Sequence, residues 1–401
     1  MECEVKIHEL EWNRDMHYAL GFSKLWCRTI GVWPWQRNEP ASIVRFGVFF
    51  GIEAAAVISL VEELFVYGNC GSLADLIEGL SALFIFMITA LKVLLPWLQQ
   101  GQMRSIIQSA MEDWANVCEP RARQIMDQYA LLGRLIYIIQ ISATFVGCID
   151  LIILRPPTLS TDRASNISSA RTLIFGPSCW APNSMPRSLY LFHYHLISMC
   201  LCSTIIIYPG WNSFMASAAL HLCGQFEVLN ASLEERPDDQ NDVDQKRRIK
   251  KFSIRHDKLL TLGNQLNETV DLIAISEVLS NGFLICLSGI ALLSDITKGK
   301  FDNVDINFAL RISVWYCEIF IYSYIGEKLA SEGEKLQSTI YNYPWYDLSV
   351  SSIKDIQYIM MRNNSFCYLT AGGIIVMNNE TFKEITRLMF SYFSALKLVL
   401  D

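Results

Sequence analysis

The segment LADLIEGLSALFIFMITALKVLLPW, residues 73–97, decides the fold class of this chain. Apart from Asp75, Glu78 and Lys92, its residues are uncharged and mostly apolar. About 20 residues of this kind allow a helix to cross a hydrocarbon core roughly 30 Å thick. Because lipid offers the backbone no hydrogen-bonding partner, the segment must satisfy its own peptide groups as a helix. The segment therefore predicts a membrane-spanning helix.

Six further segments have the same character. They are residues 43–67, 130–154, 189–212, 266–293, 306–325 and 380–400. Together with the first segment they predict seven spans and an all-α, multi-pass membrane fold. The first and last spans are the least regular, because Glu53 interrupts one and Glu384 with Arg387 interrupts the other.

The composition supports a membrane protein and excludes several functions. Of the 401 residues, 52% are hydrophobic and 18% are charged, whereas a soluble domain carries about 25% charged residues. The formal net charge of −7 argues against nucleic acid as a partner, because phosphate binding needs an excess of lysine and arginine. The sequence contains no nucleotide-binding, metalloprotease or serine hydrolase motif, and we expect neither catalysis nor a cofactor.

Lysine and arginine are distributed unevenly between the two sets of loops. The set formed by residues 1–42, 97–129, 222–265 and 327–370 holds 20 of them, and the other set holds 6. The positive-inside rule therefore places the first set in the cytoplasm. Seven spans then put the C-terminus outside the cell. Residues 1–42 lack the apolar core of a signal peptide, so we expect the first span to insert without one.

Two features of the predicted outer loops stay open at this point. Asn166 begins an N-x-S sequon between the third and fourth spans and is a candidate glycosylation site. Cys70 and Cys179 are the two cysteines predicted on the outer side. They form either a disulfide or two free thiols.

The last predicted span has two chemically different sides. At about 100° per residue, its large apolar residues fall on one side and its charged and small residues on the other. The polar side consists of Glu380, Lys383, Glu384, Arg387, Ser391, Ser394, Ala395 and Leu398. A charge at mid-bilayer costs at least about 2.5–3.5 kcal/mol, so this side must face protein or water. It either lines a water-filled conduit with an apolar gate or seals against other helices of the chain.

Four motifs resemble those of the insect odorant receptors. They are GVWPW at 31–35, GEKLASEGEKLQSTIYNYPWYD at 326–347, LTAGGIIVMNNETF at 369–382 and FSYFSAL at 390–396. The resemblance implies an odorant-gated, non-selective cation channel in the plasma membrane of olfactory sensory neurons. It also implies a heterotetramer in which a tuning subunit such as this one pairs with an odorant co-receptor.

The resemblance implies a role for each part of the chain. Residues 1–42 would be a cytoplasmic segment, 43–325 the six helices that hold the odorant pocket, 326–379 a cytoplasmic anchor between subunits, and 380–401 the pore-lining helix. Trp345 and Tyr346 are expected at the subunit contact, although burial within one subunit would suit the same residues.

The family's [Ser/Thr]-Tyr-Phe motif matches Ser391, Tyr392 and Phe393. This match implies a pore constriction at Ala395 and a following pore position at Leu398. Arg387, Ser391 and Ser394 lie on the same side of the helix and are expected to line the conduit.

The resemblance implies a pocket between the outer halves of spans two, three, four and six. The residues expected to line it are Leu80, Phe84, Thr144, Cys148, Leu196, Met199, Ile312, Trp315 and Tyr316. Such a lining suits small, volatile, mostly apolar ligands, although each residue also suits ordinary helix packing. Arg311 and Glu318 flank this part of span six, and a buried partner for either would indicate a polar floor to the pocket.

Two other functional classes are alternatives. A metabotropic seven-helix receptor would require the opposite orientation in the membrane. A membrane transporter would be expected to contain internal repeats with broken helices, and we find no such repeat in the sequence.

Overall fold

A computed structural model describes residues 12, 14–68, 70–157, 171, 173–182, 185–234, 242–297, 303–363 and 368–400. This part of the chain forms α1 (Arg14–Ile30), α2 (Pro40–Tyr67), α3 (Leu73–Leu98), α4 (Gln100–Asn116), α5 (Pro120–Leu154), α6 (Arg187–Glu234), α7 (Asp242–Thr297), α8 (Asn303–Asn342), α9 (Val350–Asn363), β1 (Thr370–Ala371), β2 (Ile375–Val376) and α10 (Asn379–Leu400). The predicted all-α class is confirmed. The seven predicted spans lie within α2, α3, α5, α6, α7, α8 and α10.

Four helices of the described residues can cross a membrane by length and apolar composition alone. They are α2, Ala74–Leu98 of α3, α6 and Asp244–Leu293 of α7. Of the other predicted spans, α5 packs against α6, α10 packs against α7, and α8 packs against both.

Three helices are much longer than a bilayer is thick. α6, α7 and α8 contain 48, 56 and 40 residues, which at 1.5 Å per residue is roughly 70, 85 and 60 Å. The predicted loop at 222–265 is therefore wrong over most of its length, because α6 extends to Glu234 and α7 begins at Asp242. The charged residues from Asp242 to Lys258 lie on the extension of α7, so their polarity did not indicate a loop.

We call the end of the bundle that holds Cys70 and Cys179 the disulfide end, and the opposite end, which holds β1 and β2, the hairpin end. Cys70 follows α2 and Cys179 precedes α6, and the two form a disulfide with a Cα–Cα distance of 6.3 Å. Beside it, Trp180 is 1% exposed and its indole N–H donates to the Gly68 carbonyl at 3.1 Å. The disulfide therefore joins the end of α2 to the chain that leads into α6.

At the hairpin end, the extensions of the long helices pack with α1, α4 and α9 into one large apolar core. At Gly210 the backbone of α6 lies directly against α1, because a Cβ at this position would lie 1.8 Å from Cδ1 of Trp26. Trp26 also meets Trp211 edge to face, with ring centroids 6.1 Å apart. A side chain at residue 210 would therefore push α1 away from α6.

An ion-pair cluster ties α4 to the extensions of α6 and α7. Asp113 lies 3.0 Å from Nε2 of His221 and 2.7 Å from Nη2 of Arg255. Burial alone would raise the pKa of Asp113, but the hydrogen bond from His221 and the charges of His221 and Arg255 outweigh it and lower that pKa. The carboxylate is therefore ionised and holds three helices together.

The hairpin is held by α7. Gly372 and Gly373 have φ values of +67° and +65°, in the left-handed region that glycine adopts without steric cost. The Gly373 N–H donates to Asp271 Oδ1 at 2.8 Å, and the Thr370 N–H donates to Asn267 Oδ1 at 2.7 Å. The T-A-G-G motif is thus a tight turn docked on one face of α7.

Glu53 interrupts the first predicted span without facing lipid. Its side chain is buried against α6, where it accepts hydrogen bonds from Cys200 Sγ at 2.7 Å and from Ser203 Oγ. Because buried partners replace its water shell, the carboxyl group is accommodated inside an apolar helix.

A lysine and two glutamates are buried together in the centre of the bundle. Lys92 of α3 forms an ion pair with Glu277 of α7, and its Nζ lies 4.0 Å from Oε1 of Glu318 on α8. Lys92 also donates to Asn212 Oδ1 of α6 at 3.0 Å. Their side chains are at most 6% exposed.

Further polar groups complete this ionic network, which we define as Lys92, Tyr208, Asn212, Glu277, Asn281 and Glu318. Glu318 accepts from Asn212 Nδ2 at 2.6 Å, from Asn281 Nδ2 at 3.2 Å and from the Tyr208 hydroxyl. Lys92 Nζ lies 3.2 Å from the centroid of the Tyr208 ring. The network therefore contacts α3, α6, α7 and α8 at once.

Removing the lysine charge should destabilise the bundle strongly. The Lys92→Met variant keeps the unbranched stem but leaves two buried carboxylates without their cation, so we expect the free energy of unfolding to fall by about 3–5 kcal/mol. Adding Glu277→Gln should recover part of this loss. Denaturant titration of the purified chain in detergent measures the effect.

The matched control is Lys258→Met. Lys258 pairs with Glu112 at 3.0 Å, but both side chains are more than one-third exposed, so the loss should stay below about 1 kcal/mol. Equal losses in the Lys92 and Lys258 variants would contradict the assigned role of the buried network.

Candidate functional site

Helices α3, α5, α6 and α8 surround a cavity of about 470 Å³. Its lining residues are Ser81, Ala82, Ile85, Phe86, Ile139, Gln140, Ser142, Ala143, Thr144, Gly147, Cys148, Phe175, Leu201, Thr204, Tyr208, Asn212, Leu310, Arg311, Ser313, Val314, Trp315, Cys317, Glu318 and Ile321. More than half of them are aliphatic, aromatic or sulfur-containing. The volume and the lining suit a small, mostly apolar molecule.

The cavity lies between the four predicted spans, but only part of the predicted residue set lines it. Thr144, Cys148 and Trp315 are lining residues. Trp315 is 5% exposed and packs in a cluster with Leu284 and Ile319. These three predicted residues therefore lie at the cavity, on α5 and α8.

The other predicted pocket residues lie on neighbouring faces of the same helices. Met199 is 56% exposed on the surface of α6, and the ring of Phe84 meets Phe283 of α7 at 5.7 Å. Those outside the lining are Leu80, Phe84, Leu196, Met199, Ile312 and Tyr316. The position of a residue along its span indicates its depth in the bundle. The rotation of each helix about its axis decides whether that residue faces the cavity, and it depends on tertiary packing.

The floor of the cavity belongs to the ionic network. Tyr208, Asn212 and Glu318 line the cavity, and Tyr208 and Asn212 both donate hydrogen bonds to Glu318. Tyr208 and Asn212 were not among the residues predicted to line the pocket. A tyrosine and an asparagine inside an apolar span were the available signal, because polar groups in a membrane helix usually face the bundle interior.

The opposite end of the cavity is also polar. Arg311 lines it and lies 3.6 Å from Glu78 Oε1. Glu78 is held by Arg155, which donates to both of its carboxylate oxygens at 2.6 and 3.0 Å. Arg311 and Glu318 therefore both have buried partners, and the cavity has a polar group at each end and an apolar wall between them.

Helix α8 contacts the cavity on one side and α10 on another. Trp315 lines the cavity, while the next residue, Tyr316, forms a hydrogen bond of 3.0 Å with Thr386 Oγ1 of α10. The Tyr316 ring also packs on Phe382 with centroids 5.0 Å apart. Helix α8 is therefore in direct contact with α10, and a displacement of α8 at the cavity would act on α10.

The apolar side of α10 packs inside the chain, and its polar side does not. Phe382, Ile385 and Met389 contact the cluster around Leu284 and Trp315. The exposed residues of the predicted polar side are Glu380, Lys383, Glu384, Arg387, Ser391, Ser394 and Ala395. Leu398 lies in the helix, but its side chain is outside the description. Among the described side chains, this part of the polar side is not sealed by other helices.

Apolar residues flank the exposed polar side of α10. Leu388 and Tyr392 lie along one edge and are 59% and 61% exposed, and Phe390 lies along the other and is 68% exposed. An exposed polar strip with apolar margins does not suit either lipid alone or water alone.

The predicted anchor residues lie at the hairpin end. Trp345 and Tyr346 form a short 3-10 turn after α8 and are 36% and 70% exposed. Tyr341 and Val350, 70% and 72% exposed, extend the same part of the chain. The predicted glycosylation site Asn166 lies outside the described residues.

The chain is similar in sequence to known proteins. The family model described as 7tm Odorant receptor matches residues 72–390. Odorant receptor 10 of Aedes albopictus is 23% identical over 208 residues, which cover 50% of this chain and 54% of the relative. Odorant receptor 47a of Drosophila melanogaster is 23% identical over 227 residues, which cover 54% and 57%. The matched part thus spans about half the length of these curated relatives.

Solved structures match over nearly the whole chain. The insect olfactory receptor OR5 from Machilis hrabei in complex with eugenol superposes with a TM-score of 0.76 at 12% identity, covering 95% of this chain and 98% of that one. A second structure of the insect olfactory receptor OR5 from Machilis hrabei gives a TM-score of 0.73 at 11% identity, covering 95% of this chain and 99% of that one. At this identity the likeness shows the fold, and the family match covers most of the chain, so this multi-pass membrane protein belongs to the odorant receptor family.

Proposed function

We propose that this chain is the odorant-binding subunit of a ligand-gated, non-selective cation channel. It would assemble with an odorant co-receptor into a heterotetramer in the plasma membrane of olfactory sensory neurons. The observation that carries the proposal is the double contact of α8, with the cavity at Trp315 and with α10 at Tyr316. A ligand in the cavity thereby acts on a helix whose polar side faces away from its own chain.

The cavity is the proposed odorant site. Its apolar wall favours dispersion contacts with a small organic ligand, and its size suits such a molecule. The relative from Machilis hrabei was solved with eugenol, a small aromatic molecule, which supports a ligand of similar size here.

Gating would be a shift in population between closed and open arrangements. A ligand that binds the open arrangement about 100-fold more tightly shifts the equilibrium by about 2.7 kcal/mol, within the usual range of coupling energies. The contact of Tyr316 with Phe382 and Thr386 would transmit this shift from α8 to α10.

The exposed side of α10 is the proposed pore lining. Arg387 would lie in the charged vestibule, Ser391 and Ser394 in a hydroxyl-lined conduit, and Ala395 with Leu398 at an apolar gate. The flanking residues Leu388, Phe390 and Tyr392 would then contact the neighbouring subunits or lipid. This arrangement satisfies both surfaces of a helix that has polar and apolar exposed residues.

The proposed orientation places the N-terminus and the hairpin end in the cytoplasm. The excess of lysine and arginine in the loops at that end supports it. The disulfide between Cys70 and Cys179 supports it independently, because disulfides persist on the oxidising, extracellular side of a membrane. Trp345 and Tyr346 would then contact other subunits in the cytoplasm, where their exposure leaves them available.

The first test is to record from cells that express this chain with and without an insect odorant co-receptor, while G-protein signalling is blocked. A panel of volatiles should evoke a rapid cation current only when both proteins are present. Currents that vanish under the block would favour a metabotropic receptor and reject the channel.

Loss of the hydroxyl of Tyr316 should weaken gating. In the Tyr316→Phe variant, the missing hydrogen bond to Thr386 is expected to raise the half-maximal odorant concentration about 2- to 10-fold. Dose–response recordings with the co-receptor measure the change. Tyr18→Phe is the control, because Tyr18 lies on α1, outside the proposed route, and its 37% exposed side chain should tolerate the change. An unchanged response in Tyr316→Phe would reject the proposed route through α8.

Position-specific labelling should identify the pore side of α10. Cysteine introduced at Ala395 should react with a positively charged methanethiosulfonate reagent in the open channel and reduce the current by more than half, because the attached cation blocks cation flow. Phe390→Cys, on the flank of the same helix, should show the response of the unmodified channel. Equal effects at both positions would place the pore lining elsewhere.

A further inference from the structure

Gln140 of α5 is a buried amide without a partner at the edge of the cavity. The residue is 8% exposed and lines the cavity. Neither its Oε1 nor its Nε2 has a hydrogen-bonding partner among the described residues. Leaving a buried polar group unsatisfied costs about 1–3 kcal/mol, so such a side chain is retained at a cost to stability.

The other buried polar side chains of the lining are bonded or ion-paired, and among them only Nη2 of Arg311 has no hydrogen-bonding partner within the described residues. The serine and threonine hydroxyl groups donate to carbonyls of their own helices, the Tyr208 hydroxyl donates to Glu318, and the charged groups are paired. The bonded lining residues are Ser81, Thr144, Thr204, Tyr208, Asn212 and Glu318. Arg311 faces the carboxylate of Glu78. Gln140 therefore differs from them, because neither the donor nor the acceptor of its amide is used by the described residues, although the residue itself lines the cavity.

We propose that Gln140 is a specificity-determining residue, which binds the oxygen of an uncharged ligand. The inference rests on the proposed function, because it requires that the cavity holds the ligand. The Nε2 group donates to a hydroxyl or carbonyl oxygen, and Oε1 accepts from a hydroxyl group. The apolar wall takes the hydrocarbon part of the same molecule. The ligand class is therefore a small alcohol or ketone rather than a hydrocarbon.

The neutral amide also excludes other ligand classes. The cations and anions at the two ends of the cavity are compensated by fixed partners, Arg311 by Glu78 and Glu318 by Lys92. A charged ligand would have to lose its water without gaining a free counter-ion, which is costly. A neutral oxygen loses little water and gains the one available amide.

The test compares three probes of equal heavy-atom number: 1-octanol, 2-octanone and nonane. Their dissociation constants are measured by displacement of the fluorescent dye N-phenyl-1-naphthylamine from the purified full chain in detergent. The selectivity ratio is the dissociation constant of nonane divided by that of each oxygenated probe. Partition into detergent is the same for every variant, so it cancels when the ratios of two variants are compared.

The Gln140→Leu variant should lower both selectivity ratios about tenfold, since one net hydrogen bond is lost, while the affinity for nonane stays the same or rises. Gln140→Met, whose side chain is unbranched and similar in length, should give the same fall. Both variants should unfold at a temperature no lower than the original chain, because each removes an unsatisfied amide.

Gln100→Leu is the matched control. Gln100 of α4 is 2% exposed and its amide atoms also have no partner among the described residues, but it does not line the cavity. Its selectivity ratios should therefore be those of the original chain.

The outcomes separate the inference from the proposed function. If all three probes displace the dye but the ratios in both Gln140 variants stay within twofold of the original, the role of Gln140 is wrong and the odorant site stands. If Gln100→Leu lowers the ratios equally, the effect is not local and the inference also fails. If no probe displaces the dye from the original chain, the proposed odorant site fails, and the role of Gln140 fails with it.

Discussion

The bundle depends on one buried charge, the ammonium group of Lys92. Removing a lysine from water inside a membrane protein is costly unless anions and dipoles replace the water. Here the replacement comes from different helices: Glu277 on α7, Glu318 on α8 and Asn212 on α6. These groups compensate each other only when all four helices are in register. The lysine can therefore be buried only when α3, α6, α7 and α8 have these relative positions.

The same network brings structure and site together. Tyr208 and Asn212 both donate to Glu318 within the network, and the three residues also form the floor of the cavity. The upper part of the cavity ends at a second compensated group, Arg311 with Glu78. Fixed polar ends and an apolar wall leave a space whose only buried, unbonded amide among the described lining residues is that of Gln140. Helix α8 connects this space to α10, so stability, binding and the proposed gating share one helix.

Several features could be predicted because their cause is local. Long apolar segments predicted the seven spans, and the 100° repeat of α10 predicted its polar and apolar sides. The helical extensions at 222–265 could not be predicted, because charged residues suit exposed helices and loops equally. Leu80, Met199 and Tyr316 lie on helices that surround the cavity but on faces that do not line it, since helix rotation is set by the packing of neighbours such as Phe283 and Phe382. Whether Cys70 and Cys179 form a disulfide could not be predicted, because it depends on the distance between two residues that are far apart in the chain.

By itself, the sequence determined that this protein crosses a membrane as helices, which residues of α10 share a side, and which family it resembles. These properties follow from hydropathy, from the helical repeat and from motifs, all of which are set by residues close together in the chain. Only the tertiary structure decided that Lys92 meets Glu277, that Trp315 and Gln140 face one cavity, and that the polar side of α10 stays uncovered by its own chain. The physical reason is that burial, charge compensation and helix rotation are properties of contacts between distant segments, and no short stretch of sequence contains both partners.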